Sequence, residues 1–395
     1  MSTADRPAGA AAAASDVAAA CHEAGFVRLV ATADGDALAA TGVLARALDA
    51  ARRPFQASVV EPPADPERRT EADLVVSLGR TDPTADCSLA PGNVPVSELA
   101  VAAARELGAD PDPVLALAGA RTADVTPSGD LLAAATDAGA QRRPGVAVPT
   151  PDVADGLAHS TLVHAPFSGD PEAAKAALAE LGLLTEAVGE TDDLEATDHR
   201  RIASMVAVRT VGAPEASTRS ADAVERALHP HAVDNPFATV EGYGDVLDAV
   251  AREQPGTGVA LALGHDAVEA ATDAWRTHAE RAHRALRSAK TGRYDGLFVA
   301  RCDPDDLRVD DAADVPVGTA ARLLRDFRSP EPTALFVTDG RAAVATSADD
   351  PDVSAAIGAA ADGVEGTAAG TARRGQASFA CEPEAFVRAF REAAT

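Results

Sequence analysis

Residues 26–48, FVRLVATADGDALAATGVLARAL, decide how the first part of the chain folds. The first six residues, FVRLVA, are a short apolar run that predicts a buried β-strand. A turn of small residues follows, and the leucines spaced along the next stretch predict a helix over residues 37–50. Further strands are predicted at residues 54–60 and 73–78, so strand, helix, strand and strand follow one another closely. This order indicates a parallel α/β sheet.

The remainder of the chain divides into a mixed region and a compact C-terminal α/β domain. Helices are predicted at 97–107, with Ser97 as its cap, and at 113–119, 171–184 and 266–288, and an apolar strand is predicted at 259–263. The last part predicts strand 296–300, helix 316–327, a hairpin at Asp339-Gly340, helix 353–361, strand 376–380 and helix 383–394.

These elements predict four segments in the chain. Residues 1–20 are expected to be flexible, and residues 21–155 to form the α/β lobe with the parallel sheet. Residues 156–290 form a connecting or second lobe, and residues 291–395 form the smaller C-terminal α/β domain.

Composition indicates an acidic but globular protein. The formal net charge is −26, yet 46% of the residues are hydrophobic, which argues against an acidic disordered chain. Lys175 and Lys290 are the only lysines, so nearly all of the 35 basic residues are arginine. This pattern is typical of extreme halophiles, in which short carboxylates cover the surface; a GC-rich genome is the alternative explanation.

The net charge and the cysteines bear on which partners the protein binds and on where it is located in the cell. Acidity argues little against nucleic acid here, since at high salt counterion release contributes little to binding for any protein. The four cysteines are far apart and contain no CxxC pair, so neither a zinc ribbon nor a disulfide framework is indicated. The N-terminal stretch lacks the features of a signal peptide, and no apolar run reaches transmembrane length. We therefore expect a cytoplasmic protein without a membrane partner.

Asp34 and Asp36 are the strongest candidates for a functional site. Both follow the first predicted strand, and open α/β sheets bind ligands at the carboxyl ends of their strands. Two carboxylates on such a turn suit a hard divalent cation such as Mn²⁺ or Mg²⁺. The alternative is a solvated turn or a helix N-cap, where aspartate is common.

The string VATADGDALAATGVLARAL resembles the first motif of the RecJ-type DHH phosphoesterases. Asp34 and Asp36 match the two aspartates of that motif, and Thr32 or a neighbour replaces the histidine that precedes them. The string LAGARTADVTPSG is similar to a later segment of the family, and by register Asp124 matches a further metal ligand. For Asp124 the alternative is a residue that caps a loop before Pro127.

The resemblance fails at the triplet Asp-His-His, from which the family takes its name. The third predicted strand ends in Gly79-Arg80-Thr81 without nearby histidines, and Asp82 and Asp86 lie beyond the strand end. The family mechanism uses two metal ions to activate water and neutralise phosphoryl charge. Three carboxylates cannot fill two octahedral sites, so we expect either no cofactor or one weakly bound Mn²⁺ or Mg²⁺.

The C-terminal stretch resembles the DHH-associated domain, whose glycine-rich turn grips the phosphate backbone of the substrate. Here the turn has Thr371 in place of a histidine, followed by two arginines. Glycines with exposed amides and arginines suit phosphate, and the alternative is a plain hairpin loop with solvated arginines. The matching residues are Gly370, Thr371, Arg373, Arg374 and Gly375.

The resemblance therefore predicts a DHH-like α/β domain followed by a DHH-associated domain, and it leaves two functions open. The first is a catalytically inactive protein of DNA replication or repair, which acts either as a scaffold for the GINS complex and the replicative helicase or as a single-stranded-DNA-binding factor. The second is an active Mn²⁺-dependent single-strand exonuclease or nucleotide phosphoesterase, which uses Asp34, Asp36, Asp124 and either Asp82 or Asp86.

Overall fold

The computed structural model describes residues 8–61, 71–123, 125–183, 194–303, 315–347 and 352–394. The chain forms two compact units. The first unit is Met1–Arg143 with Pro230–Trp275, and the second is Pro144–His229 with Arg276–Thr395. None of the helices in the described ranges is long and apolar enough to cross a membrane.

The described chain contains helices and strands in both units. The helices are α1 (Ala8–Glu23), α2 (Gly35–Ala50), α3 (Val96–Glu106), α4 (Pro113–Ala120), α5 (Gly129–Asp137), α6 (Val153–His159), α7 (Pro171–Glu180), α8 (Ala196–Val211), α9 (Ser220–Glu225), α10 (Val240–Glu253), α11 (Pro255–Ala262), α12 (Val268–Ser288), α13 (Val317–Leu323), a π-helix (Leu324–Arg328), α14 (Val353–Asp362) and α15 (Pro383–Ala393). The strands are β1 (Val27–Thr32), β2 (Phe55–Val60), β3 (Leu74–Leu78), β4 (Cys87–Leu89), β5 (Gln141–Arg142), β6 (His231–Ala232), β7 (Lys290–Tyr294), β8 (Leu297–Arg301), β9 (Thr333–Thr338), β10 (Arg341–Thr346), β11 (Thr367–Gly370) and β12 (Arg374–Ser378).

A four-stranded parallel sheet organises the first unit. Its order is β2–β1–β3–β4, with β1 between β2 and β3. Apolar side chains such as Leu29 and Val76 are fully buried in it, and α2 covers it with Leu38, Leu44 and Leu48. The sheet confirms the parallel α/β prediction and brings the ends of β1 and β3 to one edge.

The N-terminal segment corrects one expectation. Residues 8–20 were expected to be flexible, but the structure forms α1 over Ala8–Glu23. Ala14, Val17 and Cys21 of this helix are buried in the core of the first unit. Alanine has the highest helix propensity, so an alanine-rich run becomes a stable helix once one face can pack.

The region before the long helix α12 corrects two further predictions. Residues 259–263 were predicted to form a strand, but they lie in and directly after helix α11. A five-residue apolar run does not distinguish a strand from a short buried helix by its pattern alone. Residues 230–275 were placed in a connecting lobe, yet they belong to the first unit because α10 and α11 contribute Val246, Leu247 and Leu261 to its core.

A six-stranded mixed sheet organises the C-terminal part of the second unit. Its order is β11–β12–β10–β9–β8–β7, in which β8 and β9 are parallel and the other pairs antiparallel. The Asp339-Gly340 hairpin joins β9 and β10 as predicted, with Gly340 at a φ of 73°. The predicted strand at 376–380 lies two residues earlier, at Arg374–Ser378. The α/β prediction for this domain is confirmed.

Candidate metal and charge centre at the edge of the parallel sheet

Asp34 lies between the end of β1 and the start of α2 and is the N-cap of α2. Its backbone is extended, and its Oδ1 accepts a hydrogen bond of 2.8 Å from the Ala37 backbone N–H. Such a bond satisfies one of the four N–H groups that have no partner inside the helix. The N-cap interpretation of Asp34 is therefore realised in the structure.

Asp36 is buried, with 6% of its surface exposed, and both of its carboxylate oxygens serve the start of another helix. Oδ2 accepts a 2.7 Å hydrogen bond from the Val96 N–H. Oδ1 accepts from the Ser97 N–H at 2.9 Å and from the Ser97 hydroxyl at 2.5 Å. Ser97 was predicted to cap α3, but Pro95 holds the N-cap position without a side-chain bond, and Asp36 supplies the capping carboxylate.

The end of β3 cannot carry another ligand side chain. Gly79 follows β3 with a φ of 90°, a conformation that side-chain-bearing residues rarely adopt. A Cβ at this position would lie 2.7 Å from the Ala37 Cβ and 2.8 Å from the Thr32 Oγ1, which is closer than van der Waals contact allows. The residue at this strand end is therefore a glycine for steric reasons.

Asp82 and Asp86 have local roles in the turn beyond β3. Asp82 accepts hydrogen bonds from the Thr84 N–H at 2.8 Å and from the Thr84 hydroxyl, and it pairs with Arg80 at 3.3 Å. Asp86 accepts a 2.8 Å hydrogen bond from the Val75 N–H. Both therefore stabilise the loop between β3 and β4.

A buried ion pair on α10 joins this edge and was missed in the sequence. Arg252 Nη1 lies 2.7 Å from Asp248 Oδ2, and only 14% and 10% of the two side chains are exposed. Asp248 Oδ1 accepts a 3.1 Å hydrogen bond from the Gly35 N–H, so α10 is tied to the turn that holds Asp34. Asp248 and Arg252 are four residues apart and face the same side of the helix.

The pKa values at this edge depend first on burial and then on the surplus of carboxylates. Burial raises the pKa of Asp34 to about 7, with Asp36 and Asp248 adding to the rise and Arg252 opposing it. Burial also raises the pKa of Asp36, and its hydrogen bonds from Ser97 and Val96 offset only part of this effect. Burial lowers the pKa of Arg252, but the charges of Asp248, Asp34 and Glu61 outweigh it and leave that pKa raised.

Two other carboxylates on α10 point to different partners. Glu241 accepts from the His231 N–H at 2.9 Å and contacts His231 Nδ1 at 2.7 Å. Asp245 accepts a 2.8 Å hydrogen bond from the Trp275 indole N–H. The spacing of Glu241, Asp245, Asp248 and Arg252 along one helix face was the signal in the sequence, but no helix was predicted at this position.

This set of donors does not fit a pair of catalytic metal ions. Across the ranges that the structure describes, no group of three or more His, Cys, Asp and Glu side chains is arranged to hold a metal ion. Asp34 and Asp36 each cap a helix, and Asp124 lies outside the described residues. A two-metal site needs bridging and terminal ligands for both cations, and Asp34 and Asp36 do not provide them while they cap helices.

Comparison with known proteins shows the family. Residues 289–392 match the family model of the C-terminal domain of the uncharacterized protein rrnAC1427. The chain is 53% identical over 380 residues to the uncharacterized protein rrnAC1427 of Haloarcula marismortui, covering 96% of each chain. The chain belongs to the rrnAC1427 family.

Solved structures show that this member of the rrnAC1427 family has a RecJ-like DHH fold. CDC45 from Entamoeba histolytica is similar with a TM-score of 0.58 and 8% identity, covering 98% of this chain and 97% of that one. RecJ from Thermus thermophilus, in complex with Mg²⁺, is similar with a TM-score of 0.50 and 16% identity. The match covers 98% of this chain and 53% of the RecJ chain, so this chain spans about half the length of that protein.

The predicted phosphate-binding turn lies within the part matched by the rrnAC1427 family model and is a tight hairpin between β11 and β12. The Thr371 N–H donates to the Arg374 carbonyl at 2.7 Å, and the Thr371 hydroxyl accepts from the Arg373 and Arg374 N–H groups at 3.4 and 3.3 Å. Gly370 ends β11 and Gly375 lies in β12. The amides of Thr371, Arg373 and Arg374 therefore bond within the turn.

Proposed function

We propose that this chain is a RecJ-like protein of DNA replication or repair that binds and positions partners and does not hydrolyse phosphodiesters. The observation that carries the proposal is the position of Asp36, whose two oxygens accept three hydrogen bonds from Val96 and Ser97 at the start of α3. A carboxylate that caps a helix in this way has little capacity left for a metal ion.

The neighbouring positions support the same proposal. Gly79 leaves no room for a side chain at the end of β3, and the sequence there contains no histidine pair. Asp34 caps α2, and Arg252 neutralises part of the carboxylate charge. Water activation by two metal ions requires several oxygen and imidazole ligands around both cations.

The proposed partners are the GINS complex and the replicative helicase. This chain lacks the Asp-His-His triplet but retains both domains. Among RecJ relatives, that combination resembles the replication-associated branch, which bridges these assemblies. The likeness to CDC45 over nearly the whole of both chains is consistent with membership in that branch.

Single-stranded DNA is proposed as a second ligand, contacted by Arg373 and Arg374 of the β11–β12 hairpin. Guanidinium groups bind phosphate oxygens through charge-assisted hydrogen bonds. In a chain with 35 basic and 61 acidic residues, two adjacent arginines on a hairpin are a local positive feature. Electrostatic binding of this kind weakens strongly with salt, so we expect modest affinity at molar KCl.

The test combines affinity purification with a nuclease assay in the same molar KCl buffer. The tagged chain is expected to recover GINS subunits and to release no nucleotides from a single-stranded oligonucleotide with Mn²⁺. Release of nucleotides that stops in Asp34→Ala, together with the absence of GINS from the eluate, would show that the chain is a hydrolase.

A matched pair of variants tests the DNA contact. Arg373→Gln with Arg374→Gln is expected to weaken oligonucleotide binding at least several-fold, as measured by fluorescence anisotropy. Arg341→Gln and Arg388→Gln, which remove two cations elsewhere in the same domain, provide the control. Equal effects from both double variants would point to net charge and contradict a contact at the hairpin.

A further inference from the structure

We propose that Arg252 is a built-in cation, which supplies the positive charge that the carboxylates at the edge of the parallel sheet would otherwise need from a divalent metal ion. This inference rests on the proposed non-hydrolytic role of the same edge. It goes further, because it assigns to one residue the replacement of the metal and predicts that its removal opens a cation site.

The first argument is geometric. Arg252 approaches Asp248 at 2.7 Å with both side chains largely buried, and it also donates to the Asp248 backbone carbonyl. Asp248 in turn accepts from the Gly35 N–H, in the turn that joins β1 to α2. The guanidinium is therefore fixed by two contacts to a residue that is itself bonded to the predicted metal-binding turn.

The second argument is the balance of charge. The carboxylates of Asp34, Asp248 and Glu61 all act on Arg252, and their charges outweigh the effect of burial on its pKa. Conversely, Arg252 is the cation that opposes the raised pKa of Asp34. One guanidinium thus pairs directly with Asp248 and acts electrostatically on Asp34 and Glu61, where a divalent cation would otherwise offset the negative charge.

Two other arginines of the first unit, Arg46 and Arg121, pair with carboxylates elsewhere. Arg46 pairs with Asp112 at 3.2 Å, and Arg121 lies 3.5 Å from Glu241. Neither acts on Asp34 in the way that Arg252 does. Arg252 is therefore the arginine that direct contact ties to Asp248 and that acts on Asp34.

The chemistry of arginine explains why Arg252 would replace a metal ion under all conditions. A guanidinium stays charged at all accessible pH values and presents its donors in a rigid plane. Mg²⁺ and Mn²⁺ need oxygen ligands in octahedral geometry, and Arg252 holds the oxygens of Asp248. The edge is therefore neutralised by the chain itself, independent of the metal concentration.

The experiment measures thermal unfolding and manganese binding of Arg252→Met in molar KCl. Methionine keeps much of the length of the side chain and removes the positive charge beside the buried carboxylate of Asp248. We expect the Tm to fall by about 10 °C in EDTA, since breaking a buried pair is strongly destabilising. Millimolar MnCl₂ is expected to restore at least about half of this loss in the variant and to leave the intact chain unchanged.

Three variants control this result. Arg252→Lys keeps the charge and is expected to show a smaller loss of Tm and no response to MnCl₂. Arg46→Met removes an arginine that pairs with an aspartate in the same unit, and it should likewise show no response. Asp248→Asn combined with Arg252→Met removes one ligand of the opened site, so it should recover stability in EDTA but lose the manganese response.

Two outcomes would overturn the inference. One is a manganese response of the intact chain, by calorimetry, that is as large as that of Arg252→Met. The other is an unstable Arg252→Met variant that MnCl₂ does not stabilise. If Arg252→Met fails to fold in EDTA, refolding in millimolar MnCl₂ decides the question: folding only with manganese supports the inference, and no folding in either buffer contradicts it. Neither outcome depends on GINS recovery or nucleotide release, so the failure of this inference and of the proposed function remain distinguishable.

Discussion

Each unit of this molecule contains a buried charge centre, and the two centres have opposite surpluses. At the edge of the parallel sheet in the first unit, Arg252 interacts with several carboxylates, and the pKa of Asp34 is raised to about 7. In the second unit, the carboxylate of Asp326 lies among several arginines. The sign of the neighbouring charge determines whether the pKa of a buried carboxyl is raised or lowered.

The centre in the second unit lies on the π-helix. Arg325 Nε donates to Asp326 Oδ1 at 2.7 Å, and Arg226 Nη2 donates to Asp326 Oδ2 at 2.8 Å. Burial raises the pKa of Asp326, but the charges of Arg325, Arg226 and Arg322 outweigh it and leave that pKa lowered. Burial raises the pKa of both carboxyls, so the different directions of their pKa values come from their charged neighbours.

The largest effect is expected when the carboxylate of Asp326 in the second centre is removed. Asp326→Ala takes away the carboxylate that faces the buried guanidinium of Arg325, and we expect a loss of about 4 kcal/mol in the free energy of unfolding. Arg226→Gln removes a partner whose side chain is 62% exposed and should cost less than about 1 kcal/mol. Chemical denaturation of both variants measures the two values; similar values would contradict the assignment of Asp326 as the centre.

The next largest effect tests the structural role of Asp36 in the first unit. Asp36→Ala leaves the Val96 and Ser97 amides without their acceptor, and we expect a loss of about 3 kcal/mol. Asp36→Asn keeps one acceptor oxygen and should lose less. Both losses should be the same in EDTA and in MnCl₂; a loss that appears only with manganese present would mean that Asp36 is a metal ligand.

A smaller effect is expected from a histidine pair in the second unit. His164 and His283 approach each other at 3.0 Å between their Nδ1 atoms. Burial lowers the pKa of His164 to about 3, with Arg287 and Arg328 adding to the shift, and burial lowers that of His283 as well.

The pH dependence of stability follows from the difference in proton binding between the folded and the unfolded chain. Below pH 6.5 the unfolded chain protonates these histidines and the folded chain does not, so stability is complete above pH 6.5 and falls as the pH decreases toward 3. We expect a loss of about 1 kcal/mol per pH unit from His164. Unfolding of the intact chain and of His164→Asn between about pH 7.5 and 5 measures it; parallel curves for the two would contradict the prediction.

The smallest effect is expected for Asp34→Asn. The folded pKa of Asp34 lies above its ordinary value of 3.8, so the folded state holds more protons and its stability falls as the pH rises from about 4 to about 7. Asparagine cannot ionise and still accepts from the Ala37 N–H. At about pH 8 the variant should equal or exceed the intact chain by up to about 1 kcal/mol, as measured by thermal unfolding.

Local patterns predicted the fold better than the site. The apolar run of β1, the leucines of α2 and the Asp339-Gly340 hairpin each reflect a rule that acts over a few residues. The same rules failed at residues 259–263, because the neighbours of α11 and not its own pattern decided the structure. The α1 helix was missed for a similar reason, since its alanines gain stability only by packing.

The site depends on contacts between distant positions, which a single sequence does not reveal. Asp36 and Ser97 are separated by 61 positions, and Gly35 and Asp248 by 213. The sequence located Asp34 and Asp36 at a strand end, but it could not show that their oxygens are used by amides. The role of Arg252 required knowing which face of α10 meets the turn after β1.

The most direct test of the account is anomalous diffraction from crystals of the intact chain soaked in MnCl₂ at molar KCl. Our account predicts no manganese peak within coordinating distance of Asp34 or Asp36, and a guanidinium at Asp248. One or two well-occupied manganese ions bound to these aspartates would contradict it.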